Sequence, residues 1–357
     1  MTHTETPLRF GLVGCGTIAP THARALAGLA DEGAKLTTCA DVIPEAAAAL
    51  ASEFGLEVKT FDEMLADPDI DVVTVCLPSG RHAEYGVRAL NAGKHVVLEK
   101  PMDITLAACD ALREAQAKSG KRLTVISQHR FDQASQVVKN ALESGLLGKI
   151  VYAEATVPWF RTQGYYDSGD WRGTWALDGG GALMNQGVHV VDLLRWLAGP
   201  VESVYAQART LAHDRIEVED VLAATLTLQN GAIATLTAST ALYPGFAVRV
   251  AVYGTEGSAV IEGDMLHTLT TKDGPINGGG GESAKQHALD VATGGTKSAA
   301  SDPAALWGDS HKAQLANFIH CCRTGETPLM DGDEGRKAIE VIMAVYESAR
   351  TNQVVKL

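Results

Sequence analysis

The chain has 357 residues, of which 46% are hydrophobic, and a formal net charge of −13 at pH 7. This length suffices for two domains with sizeable cores, and the acidic balance without a basic block excludes nucleic acids and anionic membrane surfaces as partners. No apolar run reaches the ~20 residues that a membrane span needs. The six cysteines form no Cys-x-x-Cys pair and no Cys/His cluster, which predicts buried, reduced thiols, no metal site and a cytoplasmic location.

Strands and helices alternate through residues 1–127. The sequence predicts strands at 8–13, 35–40, 71–76, 94–98 and 122–127, and helices at 18–30, 44–54, 61–66, 81–92 and 105–119. This alternation is typical of a parallel, doubly wound sheet, in which ligands bind at the carboxyl ends of the strands. The loops at that edge, which we expect to line a cofactor site, are 14–19, 41–44, 77–82 and 99–103.

A glycine motif follows the first predicted strand directly. Leu8–Val13 runs into Gly14-x-Gly16-x-x-Ala19, where a helix begins. In dinucleotide-binding folds the first glycine permits the tight turn, the second lets the backbone approach a pyrophosphate, and a small third residue keeps helix and strand close. The helix N-terminus offers free N–H groups to the phosphates. The residues of this loop predicted to bind the cofactor are Gly14, Gly16, Thr17 and Ile18.

A single acidic residue, Asp41, ends the second predicted strand. Its carboxylate can accept hydrogen bonds from the adenosine ribose, and it repels a 2′-phosphate. The next residues, Val42, Ile43 and Pro44, offer no arginine for that phosphate, so the sequence favours NAD over NADP. The alternative is that Asp41 only caps the predicted helix at 44–54.

The alternation stops after residue 128. The sequence predicts a helix at 132–144, a strand at 149–159, an aromatic and glycine-rich stretch at 159–181, a helix at 182–197, and strands at 201–211, 219–229, 231–240, 247–254, 257–262 and 266–271. Consecutive strands indicate an antiparallel sheet, and Asn230-Gly231 and Thr255-Glu256-Gly257 are typical of hairpin turns. Residues 273–303, rich in Gly, Ser and Ala, predict a mobile surface loop and candidate lid. Helices at 309–323 and 332–350 end the chain.

Three residues are predicted to be catalytic: Lys100, His189 and Asn185. Lys100 follows the fourth predicted strand, at the edge where a cofactor is expected, and can bond and polarise a substrate oxygen. On the helix after the glycine-rich stretch, His189 lies four residues after Asn185 and three before Asp192, which predicts that all three share one face. Imidazole is a natural general base near neutral pH. The alternative for His189 is a core histidine among valines.

Further candidates lie in the loops and in the aromatic stretch. Trp171 and Arg172 can cover a nicotinamide or a sugar face, because sugar sites combine aromatic rings with polar side chains; ordinary packing is the equal alternative. His311 can reach a substrate from the segment after the predicted loop. The remaining residues predicted to bind the cofactor are Leu77, Pro78, Ser79, His82, Glu99, Lys100, Gln128, Trp171 and Arg172. Those predicted to bind the substrate are Lys100, Arg130, Trp171, Asn185, His189 and His311.

Several of these segments match one known family. The residues are Gly14-Cys15-Gly16-Thr17-Ile18-Ala19 with His22, Leu77-Pro78-Ser79 with His82, the run from Ala92 to Pro101, the run from Gly179 to His189 with Asp192, and Asp331-Gly332-x-Glu334-Gly335-Arg336. On these residues the chain resembles the glucose–fructose oxidoreductase / inositol dehydrogenase / MocA family over nearly its whole length. The resemblance implies an α/β fold. An N-terminal Rossmann domain, 1–127, precedes a C-terminal α+β domain, 128–357, with a large, mostly antiparallel open sheet.

The resemblance also implies a reaction. Hydride passes between the nicotinamide of NAD and a secondary alcohol or ketone carbon of a sugar, anhydrosugar or cyclitol, and His189 matches the family's catalytic histidine. Asn185 stands where many members carry aspartate, so we expect His189 and Lys100 to share the proton work and Asn185→Asp to keep activity. Three alternatives stay open: a nucleotide-sugar 3-dehydrogenase or ketoreductase, an NAD-dependent glycosidase, and a non-catalytic NAD-sensing regulator.

The same family commonly uses the open sheet as an oligomer interface. We expect the strands from 201 to 271 to present one face to helices and the other to a partner. The outer face carries Leu222, Ala224 and Leu226 or their neighbours, and such a surface predicts a homodimer or homotetramer.

Overall fold

The computed structural model describes residues 6–275 and 308–357, so most of the loop predicted at 273–303 lies outside the described residues. The chain divides into two compact units. The first consists of the described residues up to Gln128 and of those from 308 to Ile339, and the second comprises the remainder. Within the described ranges, no helix combines the length and apolarity needed to cross a membrane.

The first unit contains a parallel six-stranded sheet among its described residues. Its strands are β1 Leu8–Val13, β2 Ala34–Ala40, β3 Glu57–Val58, β4 Val72–Val75, β5 His95–Leu98 and β6 Leu123–Val125, in the order β3-β2-β1-β4-β5-β6. The helices between them are α1 Ala19–Ala27, α2 Pro44–Phe54, α3 Phe61–Ala66, α4 His82–Asn91 and α5 Leu106–Ser119. The predicted doubly wound sheet is confirmed. The short strand β3 was not predicted, and α1 ends early, at Gly28, before a 3₁₀ turn at Ala30–Glu32.

The second unit contains a larger sheet behind a group of helices. The first part of this unit, in chain order, contains α6 Gln133–Glu143, β7 Ile150–Pro158, α7 Gln163–Tyr166, a π-helix at Ala182–Gly187 and α8 Val188–Ala198. The strands that follow are β8 Val201–Arg209, β9 Val221–Leu228, β10 Ile233–Ser239, β11 Arg249–Gly254, β12 Gly257–Glu262, β13 Met265–Thr271, β14 Gly274–Pro275 and, near the end of the chain, β15 Val355–Lys356. In the described residues they form one nine-stranded sheet, ordered β14-β13-β12-β11-β7-β10-β9-β8-β15. Only β7 and β10 pair in parallel, so the mostly antiparallel sheet is confirmed.

Two helices close the chain. α9, Gly308–Thr324, belongs to the first unit, and α10, Gly332–Thr351, passes from the first unit into the second after Ile339. The buried side chains Leu315 and Phe318 of α9 pack with Phe10 and other core residues of the first unit.

The two faces of the large sheet differ in burial. On β9, Leu222, Ala224 and Leu226 are buried, whereas their neighbours Ala223 and Thr225 are exposed. Because strand residues alternate between faces, Ala223 and Thr225 point away from the core, and Leu222, Ala224 and Leu226 point toward it. On β9 the open face therefore carries Ala223, Thr225 and Thr227.

The helix predicted at 182–197 is not a continuous α-helix. Its first part, Ala182–Gly187, is a π-helix, and α8 begins at Val188. Such wide turns are rare and occur frequently at functional sites. Asn185 therefore lies in the π-helix, while His189 and Asp192 lie in α8.

Candidate functional site

The glycine loop of the first unit fits a bound pyrophosphate. Gly14 has a φ of +91°, and a Cβ there would lie 2.4 Å from the carbonyl oxygen of Cys76. Gly16 has neither constraint, since its φ is not in the left-handed region and a Cβ there would meet no described atom within 4 Å. Among the described residues, no contact requires a glycine at position 16, which agrees with the predicted approach of a pyrophosphate to this backbone.

Asp41 stands at the end of β2, beside this loop. Its Oδ2 accepts a hydrogen bond of 2.6 Å from the N–H of Cys15, and its Oδ1 accepts one of 2.8 Å from the N–H of Ile43. Ile43 is the N-cap of α2 and its own side chain makes no capping bond, so Asp41 bonds to the residue at the start of that helix as well as to the glycine loop. The carboxylate joins the strand end to this loop, where the ribose of a dinucleotide binds in this fold.

His82 connects two predicted cofactor loops. Its Nδ1 lies 2.7 Å from the carbonyl oxygen of Pro101, and its Nε2 lies 2.8 Å from that of Leu77. The ring is 1% exposed, and Ser79 beside it is also buried. His82 therefore fixes the backbone on either side of the predicted crevice, which places Lys100 next to a rigid turn.

A buried cluster that the sequence analysis did not identify lies behind Lys100. Nε2 of His22 is 2.8 Å from Oε1 of Glu99, and Nε2 of His311 is 3.8 Å from the same oxygen. Burial opposes ionisation of Glu99, but the two histidines outweigh it and hold the pKa of this carboxyl well below its usual range. Oε2 of Glu99 accepts the N–H of Lys100. The structure thus places His311, predicted to bind the substrate, in the interior of the first unit.

In the second unit, Glu219 holds the start of the glycine-rich π-helix. Its Oε2 accepts the N–H of Gly181 at 3.0 Å, and its Oε1 accepts the N–H of Leu183 at 2.8 Å and the hydroxyl of Tyr346 at 3.0 Å. Burial raises the pKa of Glu219 to about 7, although these donors oppose the rise. The carboxylate therefore supplies acceptors to N–H groups that a helix start leaves without partners.

The glycines of this segment allow that close approach. A Cβ at Gly181 would lie 1.8 Å from the backbone oxygen of Glu219, and one at Gly180 would lie 2.2 Å from the hydroxyl oxygen of Tyr346. The residue pattern indicated a helix with a glycine-rich entry, but not these partners, because they lie on distant parts of the chain.

Two of the predicted catalytic residues have defined neighbours in the second unit. Nδ2 of Asn185 donates to Oδ1 of the buried Asp178 at 2.7 Å. The half-buried ring of His189 meets His129 edge to face, with ring centroids 5.0 Å apart. Asp178 was not predicted as a site residue. His129 directly follows Gln128, a predicted cofactor residue, and a contact of His129 with nicotinamide or substrate was predicted from that position.

Arg130 and Asp192 form a buried ion pair. Nε and Nη2 of Arg130 donate to the two carboxylate oxygens at 2.8 and 2.6 Å, and both side chains are almost fully buried. Such bidentate geometry is among the strongest hydrogen-bonded arrangements. Arg130 was predicted to contact the substrate. In the structure it joins the turn at Gln128–Phe131 to α8.

The aromatic stretch packs around the hydroxyl of Tyr165. The guanidinium of Arg172 lies 4.4 Å from the ring centroids of both Trp171 and Tyr165 and donates to the Tyr165 hydroxyl at 2.9 Å. Gln186 donates to the same hydroxyl at 3.1 Å. Trp171 and Arg172 are half-buried. The stretch is thereby linked to the π-helix, directly beside Asn185.

Comparison with known proteins establishes the family. The oxidoreductase family with an NAD-binding Rossmann fold matches residues 8–127, and the GFO/IDH/MocA C-terminal domain matches residues 135–260. Together these matches span more than half of the chain, which therefore belongs to the GFO/IDH/MocA family. Its cofactor is NAD, and the protein is an NAD-dependent oxidoreductase.

Several relatives are similar over most of their length. An inositol 2-dehydrogenase of Rhizobium meliloti is 32% identical, with 71% of this chain and 76% of that protein covered. An NAD⁺-dependent scyllo-inositol 2-dehydrogenase of Bacillus subtilis is 27% identical, with 99% and 97% covered. The solved structure of the WlbA dehydrogenase from Bordetella pertussis, in complex with NADH and UDP-GlcNAcA, has a TM-score of 0.86 and 34% identity, with 100% of this chain and 99% of that chain covered.

The contact between Gly181 and Glu219 generates a stability prediction. Gly181→Ala forces the new methyl group against a backbone oxygen, so we expect it to destabilise the fold by about 1–3 kcal/mol or more. The control is Gly164→Ala, whose Cβ would make an ordinary contact of 3.6 Å with Thr162. Urea unfolding of both variants measures the difference, and equal stabilities would contradict the assigned role of Gly181.

Proposed function

We propose that the protein oxidises a secondary hydroxyl on a sugar or cyclitol ring, or reduces the corresponding ketone, with Lys100 and His189 as its catalytic residues. The carrying observation is the rigid mounting of these side chains. Lys100 follows a carboxylate fixed by two buried histidines, and His189 follows a π-helix held by Glu219. Relatives named as inositol dehydrogenases support the substrate class.

The first unit supplies the cofactor site of this proposal. The pyrophosphate is bound at the loop of Gly14, Gly16, Thr17 and Ile18 and the start of α1, and the ribose at Asp41. When bound, NAD supplies the hydride acceptor for the substrate carbon. The loop that His82 holds and the side chain of Lys100 border the nicotinamide end.

The proton chemistry is assigned to two side chains. The Lys100 ammonium donates hydrogen bonds to the substrate oxygen and stabilises the charge that develops there during oxidation. The imidazole of His189 accepts the hydroxyl proton. Asn185, an amide held by Asp178, cannot accept that proton and binds a neighbouring hydroxyl.

A nucleotide sugar is the second candidate substrate. Two observations favour it: the 34% identity over the whole chain to the WlbA dehydrogenase, whose complex holds UDP-GlcNAcA, and the guanidinium groups of Arg161 and Arg172, which both lie over the ring of Tyr165. A panel of inositols, free sugars and UDP-sugars with NAD, followed by the absorbance of the reduced cofactor, separates the two. If no member of the panel reduces NAD, both candidate substrate classes are contradicted.

The assembly and location are also proposals. We propose a homodimer or homotetramer formed through the open sheet face around Thr225, because this face leaves Ile233 and Tyr205 exposed at 53% and 39%. The six cysteines, none of them in a disulfide, are compatible with a reducing compartment such as the cytoplasm.

The first prediction from this proposal concerns cofactor choice. Asp41 repels a 2′-phosphate, so we expect NAD to be preferred over NADP by at least ~10-fold in kcat/KM, which corresponds to ~1.4 kcal/mol. Asp41→Ala narrows this ratio, as does Asp41→Asn, which removes the charge but keeps the size. Equal efficiencies of the unchanged enzyme with the two cofactors would refute the assignment.

The second prediction concerns the catalytic residues. Lys100→Ala and His189→Ala each lower turnover by ~10²-fold or more, the loss typical of one acid–base or oxyanion group. His189→Ala also removes an ionisation from the pH profile. NAD affinity, measured by quenching of protein fluorescence, stays nearly unchanged. Lys118→Ala, at an exposed helix position, is the matched control.

The contact of Asn185 changes the expectation for Asn185→Asp. The new carboxylate would face Asp178 at hydrogen-bond distance, and two buried carboxylates at that distance cannot both ionise easily. We therefore expect lower activity near neutral pH, with recovery in the double variant Asn185→Asp/Asp178→Asn.

For the catalytic pair, near wild-type turnover in both Lys100→Ala and His189→Ala would show that the assigned site is wrong.

The third prediction concerns assembly. Light scattering should give a mass of two or four times the 37.6 kDa of one chain. Thr225→Lys places a charge on the open sheet face and shifts the mass toward the monomer, whereas Ala49→Lys, on the exposed side of α2, leaves it unchanged. A monomer mass at all concentrations would rule out the proposed interface.

A further inference from the structure

His129 is a side chain of the second unit that lies against His189. It belongs to a 3₁₀ turn at Gln128–Phe131. Its ring meets that of His189 at an interplanar angle of 86°, with centroids 5.0 Å apart. A charge on one ring is therefore felt directly by the other.

Two carboxylates lie close to Nδ1 of His129. Nδ1 lies 2.7 Å from Oδ2 of Asp132, at the start of α6, and 3.3 Å from Oδ1 of Asp264. Asp264 is in the two-residue turn between β12 and β13, where both residues have positive φ, +57° for Gly263 and +66° for Asp264. This pattern is that of a type I′ hairpin turn, which tolerates aspartate. The turn places a second acid at a nitrogen that already has one.

This surrounding makes His129 a cation at neutral pH. Burial by itself lowers the pKa of His129, but Asp264, Asp132 and Asp192 outweigh it and raise the pKa to about 9. Among the other charged groups on these elements, Arg130 and Arg195 pair with Asp192, Lys139 pairs with Glu143 on α6, and Glu262 of β12 pairs with Arg249. Because the pKa is raised from 6.5, the pairing stabilises the fold fully below pH 6.5, and this contribution is lost as the pH rises through 9.

We propose that His129 is a positioning residue that keeps a fixed positive charge beside His189, so that His189 enters the reaction unprotonated and able to accept the hydroxyl proton. This inference rests on the proposed role of His189 as the base. A like charge disfavours protonation of its neighbour. Asp132 and Asp264 hold the charge on His129 and fix its ring against His189.

The direct test measures both histidines without substrate. The protein is labelled with ¹³C at histidine Cε1, and the side-chain signals are followed by NMR from pH 5.5 to 10, with assignments from His129→Asn and His189→Asn. In the unchanged protein, His129 should titrate above pH 8. In His129→Asn, the titration midpoint of His189 should rise by about 0.5–1 on the pH scale, as expected for loss of one charge at this distance in a partly solvated site.

Matched variants separate charge from structure. His129→Lys keeps a cation and should leave the His189 midpoint near its original value, as should His320→Asn, at an exposed position of α9. Asp264→Asn should lower the midpoint of His129 itself. Should His129→Asn fail to fold, the comparison of Asp264→Asn with the unchanged protein still tests whether the charge on His129 affects the titration of His189.

Kinetics then connects the charge to the reaction. With a substrate from the panel, the rising limb of kcat/KM for oxidation in His129→Asn should move to higher pH by the same amount, with activity at high pH within about twofold of the unchanged enzyme. A His189 midpoint unchanged in His129→Asn, or titration of His129 below pH 7, would overturn the inference. Full activity of His189→Ala would instead overturn the proposed function while leaving the NMR result intact.

Discussion

The carboxylate of Glu219 is the constraint on which the second unit's candidate site depends. The first N–H groups of a helix have no acceptor within it, and burying them without one is costly. Glu219 accepts from Gly181 and Leu183, and through Tyr346 it is also tied to α10. The π-helix therefore cannot turn about its axis without breaking buried hydrogen bonds. The directions of Asn185 and His189 are set by this attachment more than by the helix itself.

The two units hold functional groups by different physical means. In the first, the proposed cofactor loops are fixed through their backbone, because side chains such as Asp41 and His82 bond to backbone atoms. In the second, side chains hold side chains, as in the ion pair of Arg130 with Asp192 and the contact of Asn185 with Asp178. A backbone surface suits a constant ligand such as a dinucleotide, whereas side-chain networks can change with the substrate.

The sequence predicted those features that follow from local order. Gly16 and Asp41 could be predicted as cofactor residues because strand, turn, helix and acid occur in a fixed order in dinucleotide-binding folds. Glu219, Tyr346 and Asp264 were missed because each acts on a segment far away in the chain, and nothing near them marks a function. The π-helix was missed because its residues are as apolar as those of the α-helix that continues it. His311 was predicted to reach the substrate because it follows the predicted loop. In the structure its side chain is buried beside Glu99.

The double attachment of Asp41 has a consequence for redesign of the cofactor preference. The carboxylate that is proposed to bind the ribose also accepts the N–H of Cys15, so in this proposal specificity and loop geometry share one side chain. An exchange for serine or arginine, made to admit NADP, would also release the glycine loop. A successful conversion would need a second substitution that restores an acceptor for that N–H.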